Sequence, residues 1–157
     1  MLARDRSAVT RVLVDTSVLV KWFHSEGEAE LSEARAVRTA HQSGEVRAHI
    51  LDLGLYELGN VLVRALAWPP DHVAAQLADL LVVCGNPLAV TPDWLRDAAT
   101  LAARHRLSFY DAAWAAAARG LGLPLVSADR QLLGAHLAES PTHLVQRLRL
   151  PCPRRLP

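Results

Sequence analysis

Residues 12–14 form an unbroken apolar run that stops at Asp15, Thr16 and Ser17, the pattern of a short buried strand leading into a capped helix. A helix over 18–22 follows. Residues 26–42 have helical composition with dense charge, stopped by Ser43 and Gly44, and 51–67 reads as a further helix ended by Pro69 and Pro70. Helix 71–83 closes at Gly85, Asn86 and Pro87. After a strand over 88–90, Thr91 as cap and Pro92 at the first helical position open a helix over 93–105. Ser108 caps an alanine-rich helix over 109–119 that Gly120 and Gly122 terminate. A strand over 124–127, a short helix over 130–137 and a last strand over 143–146 complete the series. Strands separated by helices predict an α/β fold with a parallel sheet covered by helices on both faces.

The chain has 157 residues, 51% hydrophobic and 21% charged, the composition of one ordinary domain able to build a core without metals or disulfides. Cys84 and Cys152 form neither a disulfide framework nor a metal-ligand spacing, as expected of a reducing setting. The longest stretch free of Asp, Glu, Lys and Arg, 80–92, is too short to span a bilayer, and the apolar start at 12–20 contains Asp15 and lacks a cleavage site. A cytoplasmic protein is expected. The net charge of +1 conceals an asymmetry, since residues 1–11 and 147–157 carry seven of the seventeen cations and a single acid. The arginine-bearing ends suit either polyanion attraction or plain solubility.

In an open parallel sheet the chemistry lies beyond the carboxyl ends of the strands. Asp15 stands at such an end and Asp129 two residues past another, while Asp111 opens the helix capped by Ser108 and Glu57 lies on helix 51–67. Each acid has a plain structural role available: Asp15 and Asp129 as N-caps, Asp111 in a capping box with Ser108, Glu57 on a solvated stripe with Asn60 and Arg64. The apolar and aromatic neighbours of Glu57 and Asp111 argue instead for partly buried helices. Two bare carboxylates about 4 Å apart repel by roughly 4 kcal/mol at an effective dielectric near 20, so a buried cluster needs a cation. Oxygen donors without Cys or His select a hard ion, Mg²⁺ or Mn²⁺, and that ion points to phosphate chemistry.

Four ordered segments carry a resemblance: Val14, Asp15, Thr16, Ser17; Tyr56, Glu57, Leu58, Gly59, Asn60; Ser108, Phe109, Tyr110, Asp111, Ala112; and Ser127, Ala128, Asp129, Arg130, Gln131, Leu132. In this order and spacing they resemble the signature segments of PIN domains, most of all the VapC-like toxins of prokaryotic toxin–antitoxin pairs. The resemblance runs from about residue 12 to 145. It implies a three-layer α/β/α fold and a Mg²⁺-dependent endoribonuclease in which Asp15, Glu57, Asp111 and Asp129 are the acidic quartet that holds metal. Thr16, Ser17, Asn60 and Ser127 match neighbouring polar positions suited to orienting the carboxylates. It also implies an RNA substrate, a homodimer and a cognate antitoxin, for which Trp22, Phe23, Leu55, Leu62 and Trp68 are candidate groove residues. Residues 1–10, a flexible basic extension, and 148–157, a Pro/Arg-rich tail, lie outside the expected nuclease domain at 11–147.

Arg104 and Arg106 are candidates to meet a substrate phosphate, although cations at a helix C-terminus also complement its dipole. None of the seven scattered histidines stands out as a general base. A free-standing PIN nuclease that processes RNA, and a metal-free interaction module whose acids serve as caps, are the competing readings. Nucleotide binding is disfavoured, because the first strand leads into Asp15, Thr16 and Ser17 and not into a glycine-rich loop.

Overall fold

The structure, a computed structural model, describes residues 8–24 and 29–153. Strand β1 (Thr10–Val14) is central, with β2 (Val46–His49) on one side and β3 (Leu125–Val126) on the other, in the order β2-β1-β3. Both pairings are parallel, Thr10 standing opposite Val46 and Leu13 opposite both His49 and Leu125. Val12, Leu13 and Val14 are all fully buried, which explains why β1 reads as a continuous apolar run and not as an alternation.

Helix α1 (Thr16–Phe23) leaves β1 directly, and α2 (Leu31–Ser43) returns the chain to β2. Helix α3 (Asp52–Asn60) continues into a π-helical turn, Val61–Ala65, and is followed by α4 (Pro70–Cys84), α5 (Pro92–His105) and α6 (Phe109–Leu121). After β3 come the short α7 (Arg130–Gly134) and the last helix, α8 (Pro141–Leu148). Helices α1, α2 and α8 pack as one group, and α5 packs closely on α6. Helices flank a parallel sheet, as the strand and helix pattern predicts.

Several elements depart from the sequence expectation. The strand expected over 143–146 is helical: Pro141 occupies the first turn, Ser140 accepts from the His143 N–H, and Leu144, Val145 and Leu148 share the inward face of α8. The sheet edge beyond β3 is satisfied by Glu139 instead, which accepts from the Ser127 N–H and donates its own N–H to Leu125. Strand β2 is an element the pattern did not predict. Four residues with alternating exposure, two of them Arg47 and His49, carry too little apolar signal without their partner strand. The strand expected over 88–90 reduces to one bridge between Leu88 and Leu51.

Helix 51–67 ends its regular α-helical part at Asn60, and the π turn widens the backbone immediately beyond it. Helix 26–42 starts at Leu31, with 25–28 outside the described residues. The basic residues Arg4, Arg6, Arg154 and Arg155 also lie outside them. Among the described residues no helix is long and apolar enough to cross a membrane.

Candidate active site

All three strands run in the same direction, so their carboxyl ends share one edge of the sheet. The segments leaving that edge deliver Asp15 after β1 and Ser127 and Asp129 after β3, while α3 leaves β2 through Ile50 and Leu51. Asp15, Glu57, Asp111 and Asp129 all line one cavity of about 460 Å³ there, with Thr16, Ser17 and Asn60. Fields between neighbours link the quartet in sequence, Asp15 to Glu57, Glu57 to Asp111 and Asp111 to Asp129.

Asp15 is 3% exposed and occupies the N-cap position of α1, yet its side chain caps nothing. Its two oxygens accept from hydroxyls instead: Ser17 Oγ on Oδ1 at 2.5 Å and Ser127 Oγ on Oδ2 at 2.5 Å. Ser127, fully buried, also accepts from the Asp129 N–H at 3.0 Å, and Ser17 accepts from the Ala128 N–H at 2.8 Å. These hydroxyls therefore lock the β1 and β3 exits to each other. Burial pushes the Asp15 carboxyl up to about 7 against the opposing effect of the serine hydrogen bonds, and the Glu57 charge raises it further.

Glu57 is half-buried and is no part of a solvated stripe with Arg64, which is exposed. Glu57 Oε1 accepts from Trp114 Nε1 at 2.6 Å and from Thr16 Oγ1 at 3.2 Å. Burial holds its carboxyl above the usual range, opposed by these two donors and reinforced by Asp111. Trp114 reaches it because α6 is buried from Ala112 to Ala118 and α3 comes close at Gly54, where an added Cβ would lie 3.2 Å from the indole ring. Trp114 was absent from the candidates read from the sequence. Its signal was its place one turn after Asp111, on the same face of the helix.

Only half of the capping box forms: Ser108 Oγ caps α6 by accepting from the Asp111 N–H at 3.1 Å, while Asp111 Oδ2 accepts from that same hydroxyl at 2.9 Å and not from the Ser108 backbone N–H. Burial again raises its carboxyl, with the Asp129 charge adding. Asp129 caps α7 with Oδ1, which accepts from Gln131 and Leu132 N–H at 2.9 and 3.0 Å. Capping and cavity lining therefore coexist in Asp129.

The structure does not bring Arg104 and Arg106 to the cavity; both are exposed, in the last turn of α5 and at its C-cap. Of the candidate groove residues, Trp22 and Leu62 are core, 2% and 1% exposed, and Phe23, Leu55 and Trp68 are partly buried against it. Tyr56, Phe109 and Tyr110, counted among the signs of burial, are themselves exposed.

Among the described residues no three carboxylate, imidazole or thiol groups form a ready-made cage for an ion. Asp15 turns both oxygens to serines, and Asp129 commits Oδ1 to backbone donors. The donor chemistry still fits a hard divalent cation, since four carboxylates face a cavity whose lining, among the described residues, contains no Lys, Arg or His.

A three-layer domain with an acidic cavity at the carboxyl edge of its parallel sheet is thus defined by fold and site together. The model of the PIN domain family matches residues 12–135, and the chain belongs to that family. Ribonuclease VapC3 of Pyrobaculum aerophilum is 33% identical over 127 residues, covering 78% of this chain and 92% of that protein. The crystal structure of PAE2754, also from P. aerophilum, matches with a TM-score of 0.66 at 28% identity over 90% of each chain. A toxin–antitoxin complex from Klebsiella pneumoniae matches in fold, with a TM-score of 0.62 at 18% identity, covering 83% of this chain and 97% of the other.

Proposed function

We propose that this protein is a Mg²⁺-dependent endoribonuclease and the toxin of a toxin–antitoxin pair. The observation that carries the nuclease reading is the convergence of Asp15, Glu57, Asp111 and Asp129 on one cavity that no cationic side chain lines among the described residues. Membership of the PIN family and the kinship with a ribonuclease VapC3 supply the substrate class. The antitoxin rests on the VapC kinship and on the fold shared with the Klebsiella complex.

In this reading Asp15, Asp111 and Asp129 hold the metal with Glu57 beside them. Bound there, Mg²⁺, or Mn²⁺ in its place, would neutralise charge on the phosphodiester and make water more acidic. The remaining roles belong to the protein. Ser17 and Ser127 fix the orientation of Asp15, Ser108 fixes Asp111, and Thr16 with Trp114 fixes Glu57. Each of these donors favours the ionised carboxylate over the neutral acid that burial favours, and so keeps the quartet available to a cation. Attack by water, without use of the ribose hydroxyl, leaves a 5′-phosphate and a 3′-hydroxyl.

Cleavage of single-stranded RNA with Mg²⁺, with and without chelator, tests the proposal in wild type, Asp15→Ala and Asp111→Ala. Cleavage by wild type alone, lost on chelation, is expected. Full activity in both folded variants would overturn it. Co-expression with the product of an adjacent small reading frame tests the antitoxin, which should copurify and suppress cleavage.

A further inference from the structure

The acidic cavity poses a problem for any RNA that enters it. Basic side chains are the usual grip on a phosphate backbone, yet among the described residues none lines the cavity, and outside the reach of a bound cation the carboxylates repel phosphate. What the lining does offer is aromatic surface. Tyr56 and Tyr110 both border the cavity, 78% and 61% exposed, and they are the only two tyrosines in the chain.

Their placement follows from the helices. Tyr56 directly precedes Glu57 on α3, and Tyr110 directly precedes Asp111 on α6. Successive residues on an α-helix point about 100° apart, so a side chain beside an inward-facing carboxylate stands at the rim. No hydrogen bond within the described residues ties down either phenol, and neither ring packs in the core. Two large amphipathic rings left exposed beside an acidic site, on two different helices, are poised for flat apolar ligands with polar edges.

We infer that Tyr56 and Tyr110 form a base-stacking clamp at the mouth of the carboxylate cavity, holding the nucleobases on either side of the phosphodiester to be cut. The inference rests on the nuclease reading and names the form of RNA the site takes. Stacking is indifferent to the negative potential of the cavity and to base identity, so the clamp holds single-stranded RNA with little preference for sequence. Duplex RNA is excluded, because its base faces are already stacked on one another. The tyrosines are positioning residues, and the carboxylates remain the chemical centre.

The test separates binding from cleavage. Binding of a labelled single-stranded oligoribonucleotide to the full chain is read by fluorescence anisotropy with Mg²⁺ in the Asp15→Asn background, which removes the cleavage expected of the parent. Tyr56→Ala and Tyr110→Ala should each weaken binding about tenfold, while Tyr→Phe at either position stays within about twofold of the parent. Phe109→Ala, which changes an exposed ring outside the cavity lining, should leave binding unchanged. An oligonucleotide abasic beside the cleavage site should lose affinity for the parent but lose nothing further for the alanine variant that lacks the matching ring. Unchanged binding in both alanine variants, equal binding of a duplex, or no RNA binding by the parent overturns the clamp. Cleavage by Asp15→Asn at the wild-type rate would overturn the proposed carboxylate chemistry and leave the stacking comparison to be scored by itself.

Discussion

Trp114 and Glu57, 57 residues apart in the chain, are joined by an indole N–H that donates to Oε1 at 2.6 Å. The bond connects the buried face of α6 to a cavity carboxylate on α3. Trp114 is 1% exposed, so its donor has no water to turn to, and Glu57 gains a partner that favours its charged form.

Trp114→Phe keeps most of the aromatic volume and deletes that donor. It should destabilise the protein by about 1–3 kcal/mol at neutral pH, because a half-buried carboxylate loses a hydrogen bond and the smaller ring leaves a gap. Glu57 should then titrate at higher pH than in wild type. Urea denaturation and the acid limb of the cleavage profile measure the two effects, and an unmoved acid limb would show that the indole does not tune the carboxylate.

Burial holds the Asp15 carboxyl at about 7 in the folded chain against an ordinary 3.8. The folded state therefore keeps a proton that the unfolded chain releases. The resulting stability is fully present below about 3.8, declines as pH rises towards 7, and is gone above it. Asp15→Asn, which cannot ionise, should lack this decline and gain about 4 kcal/mol over wild type between pH 4 and pH 8 in metal-free buffer. Denaturant midpoints at the two pH values decide it. Parallel pH dependence in both proteins would contradict the burial argument.

Protons and a divalent cation compete for the same carboxylate. Below pH 7 the Mg²⁺ concentration giving half-maximal cleavage should rise about tenfold per pH unit as Asp15 protonates, and flatten above it. Chelation should abolish cleavage at every pH, with recovery on adding Mg²⁺ or Mn²⁺. Retained cleavage in chelator would remove the metal from the mechanism.

Ser127→Ala removes the donor to Asp15 Oδ2 together with the acceptor for the Asp129 N–H. The cost should be about 1–3 kcal/mol at pH 8, where Asp15 is ionised, and smaller at pH 5, where a protonated carboxyl needs fewer donors. Thermal melts at both values would show it. The acid limb of activity should move to higher pH, since a hydrogen bond that favoured the charged form is gone.

Much of this architecture was legible because it rests on local signals. The apolar run of β1, the breakers Gly44, Gly85 and Gly122, and the caps Thr91 and Ser108 act within a few residues of where they stand. Strand β2 and helix α8 were not legible in the same way. Val46–His49 is a strand because β1 offers it a parallel partner, and the chain ahead of α8 is turned by Glu139 pairing with β3. The ambiguity of 143–146 arises because a few apolar residues suit either period until the packing surface is known.

The sequence by itself determined β1 and most of the helices, the placement of Asp15 and Asp129 beyond strands, and the hydroxyls beside them. Tertiary structure alone decided that Glu57 faces a cavity and not solvent, that Trp114 is its donor, and that Arg104 and Arg106 stay away from it. It also turned Tyr56 and Tyr110 outward where their apolar neighbours suggested burial. The physical reason is one of range. Caps, turns and strand runs are settled by contacts between near neighbours, whereas burial, field and hydrogen-bond partnership across 57 residues exist only once helices have packed on the sheet.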